Sequence, residues 1–163
     1  MDKLRHETII KVYENMNEFN ENEKKLILAA INASNNAYAK YSNFRVGSAV
    51  LLSNNEIITG SNQENAVFPL GLCAERVALF SASNKYPKVP IIALALSTKK
   101  NLKQDEIPVF PCGSCRHSLI EQEGKFNNKI KLFITGTNGK IFVVETVQDI
   151  LPFAFVGDEL KNE

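Results

Sequence analysis

Residues 72–76 read Leu-Cys-Ala-Glu-Arg, and residues 111–116 read Pro-Cys-Gly-Ser-Cys-Arg. Together these stretches contain all 3 cysteines of the chain. The apolar spacing of residues 72–83 predicts a helix, and residues 115–122 predict a second, shorter one. Each cysteine stretch therefore stands at the beginning of a predicted helix, where backbone amides stabilise the thiolate that a metal ion requires. Three thiolates at two helix N-termini can converge on one site.

The ligand set points to zinc, because thiolate sulfur is a soft ligand. With three cysteines, the fourth position of a tetrahedral site stays open, and an open position is typical of catalytic zinc. His117 does not close it, since it lies two residues after Cys115, ~200° around the helix axis. Glu75 follows Cys73 by two residues, so its carboxylate can face the open position and carry a proton. We expect one Zn²⁺ per chain, held by Cys73, Cys112 and Cys115, beside a catalytic Glu75.

The same residues have plainer explanations. The cysteines could be small buried apolar residues or the ligands of a closed structural zinc site, and Glu75 could be a solvated carboxylate at a helix N-terminus. A lone Cys-x-x-Cys would be modest evidence against them. The combination of Cys-Ala-Glu with a later Pro-Cys-Gly-Ser-Cys is more specific. It matches the zinc deaminase signature, in which a Cys or His ligand precedes a Glu that does not bind the metal.

Apolar periodicity and turn residues predict the elements around the two cysteine helices. Residues 21–40 have apolar side chains three or four positions apart and predict a core helix, whereas residues 4–16 predict a short helix. That short helix lies in an N-terminal appendage, residues 1–20. The other predicted elements are a hairpin at 45–52 and 56–60, a buried strand at 90–98, an antiparallel pair at 129–136 and 140–146, and a terminal helix.

Two turn signals complete this outline. Asn138-Gly139 fits a type I′ hairpin turn, and Gly124 is placed to stop the second cysteine helix. Residues 21–163 are thus predicted to form a single layered α/β domain. Its mixed sheet has about five strands, with helices on both faces.

Composition and charge exclude several classes of protein. The chain has 163 residues, 44% apolar and 23% charged, which is typical of one globular domain. Its 19 Lys and Arg against 18 Asp and Glu give a net charge of +1, so neither nucleic acid nor a membrane is expected as a partner. Charges near the N-terminus interrupt any signal-peptide core, and no apolar run approaches ~18 residues. We therefore expect a cytoplasmic protein.

Four blocks of sequence, in order, carry a resemblance to a known family. They are Tyr41-Ser42-Asn43-Phe44-Arg45-Val46-Gly47, Gly60-Ser61-Asn62-Gln63-Glu64-Asn65-Ala66, Leu72-Cys73-Ala74-Glu75-Arg76 and Pro111-Cys112-Gly113-Ser114-Cys115-Arg116. Over residues 23–160 the chain resembles the cytidine deaminases that act on free nucleosides, in the small homotetrameric branch with three cysteine ligands. The resemblance implies zinc-dependent hydrolytic deamination of cytidine and deoxycytidine to uridine and deoxyuridine, with release of ammonia, in pyrimidine salvage.

The resemblance also implies roles for individual residues. Asn62 and Glu64 correspond to the pair that hydrogen-bonds the ribose hydroxyls, although such residues also occur in loops as turn formers. Phe44 resembles the aromatic residue that flanks the nucleoside, and the Ala74 amide is a candidate anchor for the pyrimidine edge. Phe155 resembles an aromatic residue that enters a neighbouring subunit's site and stacks on the base. A homotetramer with shared active sites is thus implied; the alternative is that Phe153 and Phe155 both fill their own subunit's core.

One further expectation follows from charge. Three thiolates and one Zn²⁺ carry one net negative charge, and Arg76 is the nearest cation in sequence that can offset it. The alternative for Arg76 is a surface position on the helix. The chain also departs from the family pattern at His117, at Gln63 and at Phe68-Pro69, none of which touches a ligand or Glu75.

Other functions share the zinc signature. A deaminase of another free aminated heterocycle, such as a purine base, is disfavoured by the ribose pair Asn62 and Glu64. A noncatalytic zinc protein that binds a partner is disfavoured by Glu75 beside an open position. An editor of nucleic acid is disfavoured by the net charge of +1 and the lack of a basic stripe.

Overall fold

A mixed sheet with helices on both faces forms the fold. The computed structural model describes residues 1–101, 103 and 106–157, and within them the sheet has six strands in the order β1-β6-β5-β4-β2-β3. The strands are β1 Lys11–Tyr13, β2 Val46–Leu52, β3 Ile57–Ser61, β4 Ile91–Thr98, β5 Lys131–Thr135 and β6 Ile141–Val144. The helices are α1 Glu21–Ala33, α2 Ala74–Lys85 and α3 Gly113–Phe126, with 3₁₀ turns at Met16–Glu18, Ser34–Asn36, Phe68–Leu70 and Val147–Ile150.

The two faces of the sheet carry separate apolar cores. Because side chains alternate along a strand, β4 directs Leu94 and Leu96 to the face covered by α2 and α3, and Ala93 and Ala95 to the face covered by α1. A strand buried on both faces needs apolar residues at successive positions. This explains the continuous apolar run from which the strand was predicted, and the predicted α/β class with helices on both faces is confirmed.

Strand direction brings the beginnings of α2 and α3 together. Both β3 and β4 pair antiparallel with β2, so they run in the same direction and end at the same edge of the sheet. The chain enters α2 after β3 and α3 after β4, and both helices pack on the same face. Since β4 and β5 are parallel, α3 is the crossover that returns the chain to the opposite edge. Both helix N-termini therefore lie at one edge of the sheet.

The N-terminal helix predicted at residues 4–16 is wrong. Residues 11–13 instead form β1, which pairs antiparallel with β6 through Lys11 and Val143, and this adds a strand to the five expected. Further along, Phe19 is buried and packs edge-on against Phe133. The backbone of β6 offers pairing groups that the local spacing of residues 4–16 does not reveal, so tertiary context decided the outcome.

Three smaller predictions also differ from the structure. Gly124 lies inside α3, which ends at Phe126 because Asn127 adopts the left-handed conformation, with φ 47°. Gly139 has a positive φ of 82° but Asn138 does not, so their turn is not type I′. After β6 the chain forms the 3₁₀ turn Val147–Ile150 and no α-helix up to residue 157, and any part of the expected terminal helix on residues 158–163 lies outside the described residues. No helix of the described chain combines the length and apolar character needed to cross a membrane.

Gly60 sets the distance between β3 and α2. A methyl group at this position would lie 2.4 Å from the Ala78 nitrogen and 2.6 Å from the Ala74 oxygen, both backbone atoms that cannot move without the helix. Ala74 and Ala78 are fully buried against the sheet. Close packing by small residues thus fixes the first turn of α2, and with it the position of the first cysteine stretch.

We predict that Gly60→Ala lowers the free energy of unfolding by about 1–3 kcal/mol, because the added methyl group forces α2 away from β3. The matched control is Gly124→Ala in the interior of α3, where a methyl group meets nothing within 4 Å. That variant should be more stable than the parent by about 0.5–1 kcal/mol. Urea unfolding of both variants measures the difference; equal midpoints would show that α2 does not depend on Gly60.

Candidate active site

The three cysteine sulfurs meet where α2 and α3 begin. Cys73 immediately precedes α2, Cys112 immediately precedes α3, and Cys115 lies in the first turn of α3. Their Sγ atoms all lie within 4.8 Å of one another, and the Sγ atoms of Cys112 and Cys115 are 3.5 Å apart. The edge of the sheet at which both helices begin therefore carries a cluster of three thiols.

The chemistry of this cluster fits zinc. Zinc binds thiolates at ~2.3 Å, and a tetrahedral arrangement then separates the sulfurs by roughly 3.8 Å. The observed Sγ positions reach that spacing with small side-chain adjustments. Among the residues the structure describes, no His, Asp or Glu side chain joins the cluster, and His117 is exposed on α3. Three sulfurs and a position without a protein ligand are the donor set expected of a catalytic zinc site.

The electrostatics of the cluster favour one thiolate and oppose a second. A hydrogen bond from Cys115 lowers the pKa of Cys73, and Arg76 lowers it further, with Nη2 3.9 Å from the Cys73 Sγ. The same hydrogen bond, together with burial, raises the pKa of Cys115. A divalent cation among the sulfurs reverses this opposition, because it stabilises every thiolate that contacts it.

Glu75 lies beside the cluster in the first turn of α2. It is 5% exposed, and burial raises the pKa of its carboxyl group, with the nearby Cys73 charge adding to the effect. Glu75 lines the same cavity as Cys73 and Cys112. A carboxyl group whose pKa is shifted towards neutrality can both accept and return a proton, so the placement suits acid–base chemistry.

A cavity of about 760 Å³ opens beside the thiol cluster. Most residues proposed from the sequence line it: Phe44, Asn62, Glu64, Cys73, Ala74, Glu75 and Cys112. Cys115 is fully buried behind them within the cluster. Leu96, Val109 and Phe110 supply apolar wall that the sequence did not single out. The cavity thus combines an apolar wall, a metal-binding end and a polar end, as sites for small organic ligands commonly do.

Besides Cys115, two of the proposed residues lie outside the cavity lining. Arg76 is half-buried against the Cys73 sulfur, and its Nε is buried without a hydrogen-bond partner, so its guanidinium group packs against the cluster. Phe155 is 53% exposed and does not line the cavity of its own chain. The alternative that Phe155 fills its own subunit's core is therefore wrong.

Sequence reasoning missed the residues that hold the polar end of the cavity. The Asn62 side chain accepts from the Val46 amide at 2.8 Å and donates to the Phe44 carbonyl at 3.0 Å. The Glu64 carboxylate accepts from the backbone amides of Tyr41 and Ser42. These partners lie in the sequence block 41–47, but only the fold places that block against the block 60–66.

The geometry can be compared with known proteins. The family model described as the cytidine and deoxycytidylate deaminase zinc-binding region matches residues 20–127. That match spans more than half of the chain and includes both helices of the thiol cluster.

The chain belongs to this family.

Similarity to individual cytidine deaminases extends over most of the sequence. The cytidine deaminase of Halalkalibacterium halodurans is 37% identical over 138 residues, covering 84% of this chain and 96% of the relative. That of Sporosarcina psychrophila is 35% identical over 139 residues, covering 85% and 94%. The crystal structure of cytidine deaminase from Burkholderia pseudomallei superposes with a TM-score of 0.71 at 36% identity, covering 81% of this chain and 98% of that one.

These similarities confirm what the four blocks implied about family, fold and enzyme class. The chain is an enzyme of a hydrolytic deaminase family and has the cytidine deaminase fold. The zinc-binding region of the family coincides with the three-cysteine cluster, so zinc is the metal that fits the site.

Proposed function

We propose that this enzyme deaminates free cytidine and deoxycytidine to uridine and deoxyuridine, with release of ammonia, as a step of pyrimidine salvage. The observation that carries the proposal is the meeting of three cysteine sulfurs and a buried Glu75 at one cavity. Cys73, Cys112 and Cys115 would hold one Zn²⁺ per chain. When bound, zinc lowers the pKa of a coordinated water towards ~7, so that the water can act as a nucleophile at neutral pH.

Glu75 moves the protons of the reaction. Its carboxylate accepts a proton from the attacking water and delivers it to N3 of the base while a bond forms between the water oxygen and C4. Glu75 then takes the remaining proton from the new C4 hydroxyl and passes it to the amino group, so that the C4–N bond breaks, ammonia leaves and the C4 carbonyl forms. Burial raises the pKa of the Glu75 carboxyl group, so its carboxylate accepts the proton of the water more readily than an exposed carboxylate does.

The polar end of the cavity suits a nucleoside rather than a nucleotide. Asn62 and Glu64 offer an amide and a carboxylate to sugar hydroxyls, Phe44 offers an aromatic face, and the Ala74 amide lies beside Glu75 for the pyrimidine edge. Among the described residues that line the cavity, none carries a cationic side chain, and Glu64 and Glu75 are acidic. A phosphate group would therefore enter without a counter-charge, which favours the free nucleoside.

Arg76 is proposed to offset the charge of the loaded cluster. Its guanidinium group lies 3.9 Å from the Cys73 sulfur, and proximity to the cysteines raises its pKa against the effect of burial, so it stays charged. A cation at this distance reduces the net negative charge around the metal position, which otherwise makes the bound water less acidic.

Phe155 is proposed to act in a neighbouring subunit of a homotetramer. It follows the 3₁₀ turn Val147–Ile150 and is half-exposed, away from the cavity of its own chain. A large exposed aromatic residue beside the exposed Phe153 and Val156 is suited to burial against a second copy. In the assembled enzyme its ring would stack on the pyrimidine of the next site.

The first test of the function replaces the proton carrier. Purified Glu75→Gln should retain zinc and bind cytidine but lose at least ~10²-fold in kcat, because an amide cannot accept the proton. The matched control is Glu121→Gln on the exposed surface of α3, which should match the parent. Ammonia release is measured with cytidine, deoxycytidine, cytidine monophosphate, cytosine, adenosine and guanine. Turnover of a purine or of the monophosphate in preference to cytidine contradicts the proposed substrate class.

Arg76→Gln should retain zinc, lower kcat and move the acidic limb of the pH–rate profile to higher pH. The reason is that the site keeps one net negative charge, which raises the pKa of the group that must lose a proton. Lys85→Gln, at the exposed end of the same helix, is the control and should leave the profile unchanged. An identical pH–rate profile in both variants would show that Arg76 does not offset the charge of the cluster.

Shared sites can be tested by mixing inactive chains. Phe155→Ala chains retain Glu75, and Glu75→Gln chains retain Phe155, so a mixed tetramer contains some sites with both groups. We expect mixtures to gain activity that neither parent shows, in proportion to the mixed tetramers formed. Phe153→Ala serves as control for a change in the same exposed segment and should stay active alone. Mixtures that exchange subunits yet stay inactive would contradict sharing.

A further inference from the structure

A network of hydrogen bonds at the mouth of the cavity centres on Ser42. The Ser42 hydroxyl donates to Glu64 Oε1 and accepts from the Phe44 amide, whose nitrogen lies 3.0 Å from Ser42 Oγ. The amides of Tyr41 and Ser42 donate to the other carboxylate oxygen, Oε2, at 2.7 and 3.3 Å. Ser42 is thus the one side chain that joins the Glu64 carboxylate to the backbone of Phe44 in this network.

Asn62 fixes the same loop from its other end. Its side chain bridges the Phe44 carbonyl and the Val46 amide. Phe44 is therefore held through both of its backbone groups, the amide by Ser42 and the carbonyl by Asn62. Between the two anchors, Asn43 adopts the left-handed conformation with φ 54°, which turns the chain sharply. The loop of residues 41–44 therefore has a defined shape, although its side chains are largely exposed.

The hydrogen bonds also limit what Glu64 can still accept. A carboxylate offers about four acceptor positions. Ser42 and the two backbone amides occupy three of them, one on Oε1 and two on Oε2. About one position, on Oε1, stays open to a ligand. The Ser42 hydrogen bond is also the largest cause of a lowered Glu64 pKa, so the carboxylate stays ionised and can only accept.

We propose that Ser42 is a positioning residue that orients Glu64 to accept a hydrogen bond from a single sugar hydroxyl while holding Phe44 beside the nucleoside. This proposal rests on the proposed nucleoside deaminase function. Ser42 acts before the substrate arrives, by restricting the Glu64 carboxylate to the rotamer that presents its open acceptor position. Such pre-organisation strengthens binding by lowering the cost of ordering the side chain.

The first experiment measures the effect of the hydroxyl on binding and on turnover separately. Ser42→Ala should raise KM for cytidine about 10-fold and leave kcat within about twofold, because the lost interaction is uniform across the reaction. Ser42→Thr keeps the hydroxyl and should restore KM, since the position is exposed and has room for a methyl group. Ser53→Ala, in the exposed β2–β3 turn, is the matched control. Unchanged KM in folded, zinc-loaded Ser42→Ala overturns the proposal.

The second experiment asks whether Ser42 acts through Glu64 on one hydroxyl. The Ser42→Ala effect on kcat/KM is measured with cytidine and its 2′-deoxy, 3′-deoxy and 5′-deoxy analogues. One analogue should lose the effect, because it lacks the hydroxyl that Glu64 accepts. In a Glu64→Gln background, Ser42→Ala should add less than twofold. An equal effect on all four substrates, or full additivity with Glu64→Gln, indicates a role in loop stability alone and contradicts the proposal.

The two proposals fail in different ways. If the parent enzyme does not deaminate cytidine or any of its deoxy analogues, the proposed function is wrong. If the parent is active but Ser42→Ala behaves as Ser53→Ala does, the function stands and the positioning role is wrong. Thermal unfolding and zinc content of each variant separate these outcomes from a failure to fold.

Discussion

Three cysteine sulfurs held within 4.8 Å of one another impose the main physical constraint on this enzyme. Thiolates at that distance repel one another, so the arrangement is stable in the reactive form only with a cation among them. The surroundings are adapted to that requirement. The three cysteines stand at the N-termini of two helices, and the Arg76 guanidinium group lies 3.9 Å from the Cys73 sulfur. Glu75, two residues after Cys73, is buried beside the cluster and lines the same cavity.

The fold meets this constraint through the direction of its strands. Because β3 and β4 end at the same edge, the helices that follow them begin side by side, although Cys73 and Cys112 are far apart in sequence. Small residues then bring α2 close to the sheet, and Gly60 permits the closest approach. A larger side chain at position 60 would displace the first turn of α2. The packing of α2 on the sheet therefore also sets the geometry of the site.

The sequence predicted those parts of the structure whose causes are local. The spacing of apolar residues located α2 and β4, and the Cys-Ala-Glu and Pro-Cys-Gly-Ser-Cys stretches identified the cluster. Most of what it could not predict depends on distant partners. β1 is a strand because β6 offers an edge to pair with. The hydrogen bonds of Glu64 to Ser42 likewise need two blocks brought together by the sheet. The end of α3 was missed for a local reason, because Asn127 rather than Gly124 marks the stop and adopts the left-handed conformation there.

X-ray absorption at the zinc edge tests the central claim most directly, because it counts the ligands of the bound metal. On the purified enzyme with one zinc per chain, the account predicts three sulfurs at ~2.3 Å and one oxygen at ~2.0–2.2 Å. Cys112→Ala should either lose the metal or show two sulfurs. A spectrum of the parent enzyme with fewer than three sulfurs, or with a histidine nitrogen completing the shell, would contradict an open three-thiolate site.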